Sequence, residues 1–463
     1  MTSVPLTWLV LVGVASPAVL FALLGGASLL NRPLTERWTA WLAAGAMTVA
    51  CGSLFTALIA YGTTGTAAYL LSYGSWSASR EGIEIEFLVD RLSLAFAVLS
   101  TAIAGVVSAF SNRYLHREPG YNRYFVLLAM FVTGMLLVSL AGNVAVLFIG
   151  WELVGLSSAM LVAFFQERPA AVANAFRVLA VYRISDAAML SAAVLLRHTA
   201  GSDSLALLFG GAAESTSAIE GPTATLIAFL LILAVACKSA LLPFSSWLPR
   251  AMEGPTPSSA VYYGSLSIHA GCFLLLRAAP LLEHAPAARW LAGGAGAATA
   301  VFAGITTRVQ SDVKSSLAYA SLTQVGLIVV EIAIGWYTVA FVHLAGHACF
   351  RLLQFLSAPN VLHDLHGLED KLRTGRAAPA SALQGPASDR VRRRLFLFAL
   401  ERGFLDSILD RVLVVPFMEV ARRLTQLDIW LCDVVVPGRR PAPADAASFR
   451  RRDAALQMED QDE

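Results

Sequence analysis

Lysine is rare in this chain: three lysines stand among thirty-four basic residues, and Lys238 and Lys314 lie in or beside apolar, membrane-length segments. Arginine keeps its proton in a protein, whereas burial readily lowers the pKa of lysine. A chain that uses arginine almost everywhere, yet keeps a lysine within an apolar segment, is suited to releasing a proton there. Glu152, in the apolar run Leu147 to Gly155, is the matching acid. An ionised side chain at that depth costs about 2.5–3.5 kcal/mol unless it is neutral, paired or hydrated. It is read as a proton-carrying carboxylate, with a structural ion pair as the alternative. Lys238 is followed by Pro243. That proline removes a backbone hydrogen bond and crowds the carbonyl of Ser239, so the helix should break or kink beside the lysine. Broken membrane helices persist only against protein or a water-lined cavity.

Other polar residues fall on single helix faces. Arg183 and Asp186 are three apart, so Asp186 either tunes Glu152 and Lys238 or neutralises Arg183. His343, His347 and Arg351 recur every four residues, in one stripe. Two histidines at that spacing also suit a metal, but neither an HExxH glutamate nor a third ligand accompanies them, so no metal is expected. A hydrogen-bonded proton relay is the favoured reading, and packing histidines are the alternative. His269, Tyr262 and Tyr263 either extend a polar path or satisfy one another in the core. Lys314 opens another apolar segment beside Gln310 and Asp312, and Tyr319, Ser321 and Gln324 follow. It lies near enough to the segment end to snorkel to the surface.

The elements that must position these residues are membrane helices. The chain of 463 residues is 57% hydrophobic and 14% charged, against about 25% charged for soluble domains. Apolar stretches long enough to span a bilayer recur at roughly 6–30, 38–62, 90–111, 122–141, 143–165, 170–196, 223–248, 256–281, 287–307, 313–334 and 336–360. The sequence therefore predicts an all-α polytopic membrane protein of about eleven spans. The first segment is too long for a signal peptide and lacks a basic start. The alternating run Ile83 to Phe87 predicts a strand or hairpin on one membrane face. Loops with Arg32, Arg37, Arg113, Arg117, Arg123, Arg168, Arg250 and Arg308 oppose loops with Arg80, Arg197 and Arg289. The excess predicts that the first set is cytoplasmic, the N-terminus outside and the C-terminus inside.

The membrane domain is expected over 1–365, a linker over 366–393, amphipathic surface helices over 394–436 with a bend at Pro416, and a disordered tail over 437–463. The five cysteines are scattered without a CxxC pair and read as small core residues, so no iron–sulfur cluster is expected. There is no glycine-rich phosphate loop. The net charge of +2 comes without a basic aromatic patch, which argues against nucleic acid.

Several motifs occur in order: Trp151-Glu152-Leu153-Val154-Gly155-Leu156, Lys238-Ser239-Ala240 through Pro243, Trp247-Leu248-Pro249, and Ala251-Met252-Glu253-Gly254-Pro255-Thr256-Pro257. Asp312-Val313-Lys314, Ser321 to Gly326, and His343-Leu344 with His347-Ala348 follow. Together, over about residues 85–365, they resemble the antiporter-like membrane subunits of respiratory complex I and of Mrp-type cation/proton antiporters. The resemblance implies that Glu152 and Lys238 form a proton-handling pair. It also implies that Asp186, His269, His343, His347, Lys314, Tyr263 and Arg351 belong to the pathway near the midplane. Three departures stand out. Tyr262-Tyr263 replaces the family's Ile-His, Arg351 replaces a lysine, and the family's later spans are missing.

The runs Tyr262 to Gly271 and Gly346 to Leu356 are similar to the DabB branch of that family, the membrane subunits of inorganic-carbon pumps. That similarity implies a cytoplasmic DabA-like zinc protein as partner, which would hydrate CO2 to bicarbonate, with this chain as the ion-conducting subunit. The chain itself would be no enzyme and would carry no cofactor, zinc being expected in the partner. The location implied is the cell inner membrane. A subunit of complex I or of an Mrp antiporter is the sister reading, and a passive membrane anchor for a soluble enzyme is the reading of another class.

Overall fold

The computed structural model describes residues 3–64, 66–75, 84–201, 204–205, 221–310, 312–358 and 389–435. The predicted linker up to residue 388, Lys371, Arg80 and the tail from 437 lie outside them.

The helices form where the apolar stretches were found. They are α1 (Ser3–Leu29), α2 (Glu36–Gly62), α3 (Arg91–Tyr114), α4 (Tyr121–Leu140), α5 (Val144–Val162), α6 (Pro169–Ala200) and α7 (Gly221–Lys238). After the short α8 (Trp247–Arg250) come α9 (Thr256–Arg277), α10 (Ala279–Glu283), α11 (Pro286–Thr306), α12 (Val313–Ile334) and α13 (Tyr337–Ser357). Among the described residues, ten of these are long and apolar enough to cross a membrane, namely α1–α7, α9, α12 and α13. The other expected segment, 287–307, is α11. Its glycine and alanine leave it less apolar than the rest but let it pack closely. A Cβ added at Gly326 would lie 2.5 Å from the carbonyl oxygen of Gly296, and one at Gly296 would lie 2.7 Å from that of Gly326. The α11 and α12 backbones therefore touch, as small residues allow in membrane helix pairs. The bundle exterior is apolar, with Trp8, Val19, Val301, Val342 and Leu353 more than half exposed, as a lipid-facing surface requires.

Side-chain caps set several starts. Asp90 accepts from the Ser93 backbone N–H and forms a capping box with that serine at α3. Asn143 caps α5 and Asp312 caps α12. The alternating run forms β2 (Glu84–Val89), antiparallel to β1 (Tyr69–Ser75), with Leu71 opposite Phe87. This hairpin sits over the α4–α5 turn, where Asn143 Nδ2 donates to the Glu84 carbonyl at 2.7 Å. It marks one end of the bundle, hereafter the hairpin face.

Two elements carry the site. The first is the break after Lys238. Ala240 takes φ +53°, Pro243 follows in the non-helical stretch, and the helix resumes as α8. Trp247 Nε1 donates to the freed Cys237 carbonyl at 3.0 Å, Leu242 N–H to Thr299 at 2.9 Å, and Ser239 Oγ to the Ile268 carbonyl at 2.6 Å. The break is thus satisfied by protein. The second is α9, where Ser259–Leu266 is π-helical rather than the plain helix expected, and Thr256–Arg277 is wholly buried. Wide turns of this kind often mark functional segments.

The far face carries the C-terminal helices α14 (Asp389–Leu400), α15 (Leu405–Leu409) and α16 (Val415–Val435), with a π turn at Asp410–Val414. Phe398 meets Phe302 edge-on at 6.0 Å, Arg250 Nη2 donates to Asp406 at 2.9 Å, and Arg177 is paired with Asp410. The cysteines divide. Cys237 and Cys272 are buried and Cys51 is half-buried. Cys349 is exposed on the outer surface, so the core reading does not hold for it.

On the hairpin face, Arg277 at the end of α9 is paired with Asp90. Burial pushes the Asp90 carboxyl up, but the Arg277 charge and hydrogen bond and the Ser93 bonds outweigh it, so its pKa lies below the ordinary carboxylate value. A carboxylate lowered in the folded state contributes stability above its unfolded pKa and loses it as pH falls through the folded value. Asp90→Asn is expected to cost on the order of 3 kcal/mol near neutral pH. It should also flatten the loss of thermal stability below about pH 4, read by melting the detergent-solubilised protein across pH.

Candidate functional site

Three mid-bundle helices bring Glu152, Arg183, Asp186 and Lys238 together. Their register is fixed by close packing and a polar strut. Gly150 and Gly134 let α5 approach α4, since a Cβ at Gly150 would fall 2.7 Å from Val138 N. Trp151 Nε1 donates to Ser185 Oγ at 3.0 Å, and Ser185 Oγ donates to the Ala234 carbonyl at 2.9 Å. That strut ties α5, α6 and α7 at the level of the charges.

Lys238 is fully buried. Its Nζ donates to the Trp151 carbonyl at 3.0 Å and lies 4.4 Å from the Tyr182 ring centroid and 5.0 Å from that of Trp151. Both rings favour its charged form. Gly155 makes room for it, because a Cβ there would stand 2.9 Å from Nζ. Arg183 Nη2 lies 2.8 Å from Glu152 Oε2 and 2.7 Å from Asp186 Oδ2. The Asp186 contact is an ion pair without hydrogen-bond alignment, leaving both buried Asp186 oxygens without an aligned donor. Fully ionised, the cluster is neutral. Arg183 holds a permanent charge that offsets one carboxylate, and Lys238, when protonated, offsets the other.

A second group lies across the break. His269 on α9 and His347 on α13 meet through Nε2 and Nδ1 at 2.9 Å, and Arg351 Nε donates to His347 Nε2 at 3.0 Å. Arg351 also donates to Gln354 Oε1 at 2.6 Å. A guanidinium only donates, so His347 Nε2 is an acceptor. His347 then carries its proton on Nδ1 and donates to His269. The series is polarised and closed at Arg351. His343, one turn earlier, faces Glu331 Oε1 from Nδ1 at 2.9 Å and Gln324 Oε1 from Nε2 at 3.0 Å. The elements of the two groups touch where Ser239, beside Lys238, bonds Ile268, beside His269.

Three sequence candidates bond backbone carbonyls rather than the charged groups. Lys314 Nζ lies 3.4 Å from the Gly254 carbonyl, near the far face. The Tyr263 hydroxyl donates to the Ser158 carbonyl at 2.9 Å, and Tyr262 likewise donates to Leu127. The single stripe expected of His343, His347 and Arg351 divides between two sets of partners. Sequence reasoning passed over Glu331 and Gln354, although Glu331 is a lone acid in the apolar run Ile328 to Ile334. Among the described residues, no three His, Cys, Asp or Glu side chains are grouped to hold a metal.

The family described as NADH:quinone oxidoreductase/Mrp antiporter, TM, matches residues 141–380, just over half of this chain. The one described as NADH-ubiquinone oxidoreductase (complex I), chain 5 N-terminus, matches residues 76–125. NADH-quinone oxidoreductase subunit L of Mycobacterium tuberculosis is 33% identical over 298 residues, covering 64% of this chain and 46% of that protein. Subunit L of Rhodobacter capsulatus is 34% identical over 300 residues, covering 62% and 42%. The chain spans just under half the length of these curated relatives. Among solved structures, a chain of the Mrp complex from Dietzia sp. superposes with a TM-score of 0.65 at 25% identity, covering 86% of this chain and 46% of its own. An archaeal membrane-bound sulfane sulfur reductase chain shares the fold, with a TM-score of 0.60 at 20% identity, covering 75% of this chain and 55% of its own.

Proposed function

This chain belongs to the NADH:quinone oxidoreductase/Mrp antiporter membrane family, and on that footing we propose that it conducts protons across the cell inner membrane to drive an inorganic-carbon pump. The observation that carries the reading is Lys238, fully buried at a helix break, with Glu152, Asp186 and Arg183 on the facing helices. A passive anchor gains nothing from costly intramembrane charges.

The proton steps follow from the charge balance. When Lys238 is protonated, Trp151, Tyr182 and the two carboxylates stabilise it. When it gives the proton up, Arg183 remains to hold Glu152 and Asp186. His269, on the element bonded to Ser239, extends the path toward α13. Each proton moved down about 100 mV releases about 2.3 kcal/mol, which biases CO2 hydration toward bicarbonate when the two are coupled. The hairpin face is assigned to the outside and the arginine-rich face with α14–α16 to the cytoplasm, following the loop charges.

The carbon-pump reading rests on Tyr262-Tyr263, on His269 and on the run Gly346 to Leu356, with a DabA-like zinc protein as partner against the cytoplasmic helices. The curated relatives favour the sister reading of a complex I or Mrp subunit. Isolating the complex from its native membrane through this chain separates the two. A large soluble partner containing zinc is expected. A set of dehydrogenase or antiporter subunits in its place would overturn the carbon-pump reading.

A further inference from the structure

We propose that Glu331 is the carboxylate that exchanges protons between the hairpin face and the path, handing them to and from His343. The inference rests on the proton-conducting reading above and adds the end of the path on that side.

The argument begins with position. Glu331 lies three residues before the end of α12 at Ile334, where Gly335 turns the chain at φ +93° into α13. The helix end is on the hairpin face, since Tyr337 just beyond it bonds Glu283 of α10 at 3.0 Å. The Glu331 side chain is 20% exposed and that of His343 is 26% exposed. The pair is thus nearly enclosed, yet within reach of that surface.

The bonding shows why a proton exchanges there. Glu331 Oε1 and Gln324 Oε1 face the two ring nitrogens of His343 at 2.9 and 3.0 Å. Where Gln324 accepts from Nε2, a proton between Nδ1 and Glu331 can rest on the ring or on the carboxyl. When the ring is neutral, the proton that held the Glu331 bond resides on the carboxyl. Glu331 and His343 therefore share one mobile proton. Glu331 Oε2 is buried with no hydrogen-bond partner among the described residues, which leaves an acceptor ready for an incoming proton.

The neighbours leave the pair free to work. From α9, Cys272 lies within electrostatic reach of the carboxylate. From α11, Arg289 is engaged by Nε to the Ala333 carbonyl at 2.5 Å, and among the described residues no lysine or arginine is paired with Glu331. From α13, His343 itself faces it, and the His347 ring stands edge-on to His343 with centroids 6.5 Å apart. Beyond His347 the series is closed by Arg351, a donor that keeps its proton. His343 is thus the histidine that faces the hairpin side, through Glu331.

The test uses the complex isolated from its native membrane, reconstituted into liposomes and followed with a pH-sensitive dye under an imposed gradient. Glu331→Gln keeps an acceptor for His343 and removes only the titration. Its flux is expected to fall about tenfold or more, with the dependence on hairpin-side pH lost and the melting temperature unchanged. Glu331→Asp should keep about a third of the flux or more. Parent-like flux in Glu331→Gln, while Lys238→Ala conducts nothing, would overturn this inference and leave the proposed function standing. A parent complex that conducts no protons overturns both. If Glu331→Asp fails as fully as Glu331→Gln, or flux falls in step with thermal stability, the carboxylate is structural and the inference falls.

Discussion

Replacing Lys238 by alanine is expected to abolish proton-coupled growth of a strain that depends on this chain, while the protein still accumulates in the membrane. The ammonium is the only charged donor on α7 facing the Trp151 carbonyl and the rings of Tyr182 and Trp151. Without it, a proton crossing that level meets a barrier on the order of 3 kcal/mol, about a hundredfold in rate. Lys238→Arg is expected to fail as well, for two reasons. Arginine does not give up its proton, and the niche is tight, since even a Cβ at Gly155 would stand 2.9 Å from Nζ. Complementation measured beside immunoblots separates lost conduction from lost protein. Normal growth of both variants at normal protein levels would contradict the assigned role.

Glu152→Gln is expected to have the second-largest effect. Arg183 bridges two carboxylates. Neutralising Glu152 leaves Arg183 balanced by Asp186 alone, so Lys238 loses the acid that offsets its own charge. The conducted proton then lacks one resting place. Flux should fall about tenfold, less than for Lys238→Ala, because Asp186 still offers a carboxylate beside the same arginine. Adding Asp186→Asn should remove the remainder. Glutamine keeps a hydrogen bond to Arg183, so stability should change by no more than about 1 kcal/mol. Flux in vesicles and melting of the solubilised complex, measured on the same preparations, read the two effects apart.

Much of this arrangement was legible from residue types alone. Apolar length set the spans, because lipid leaves no alternative to a helix of about 20 residues. Pro243 marked the break beside Lys238, and the Ile83 to Phe87 alternation marked the hairpin strand. Spacing along one helix did not show which helix would answer it. His343 and His347 share a stripe on α13, yet one turns to α12 and the other to α9. The π turns of Ser259–Leu266 arise from packing that no local propensity encodes. Glycines 296 and 326 are unremarkable as letters, and only their backbones in contact show what they permit. Glu331 was passed over because its partner is supplied by the next helix, across a turn.

The most direct measurement is proton flux driven by an imposed gradient in liposomes that hold the complex isolated through this chain, with the parent and Lys238→Ala run side by side. The account predicts that the parent conducts and that the variant, folded and at equal density, falls about a hundredfold. Equal flux in the two, or none in the parent, would contradict it.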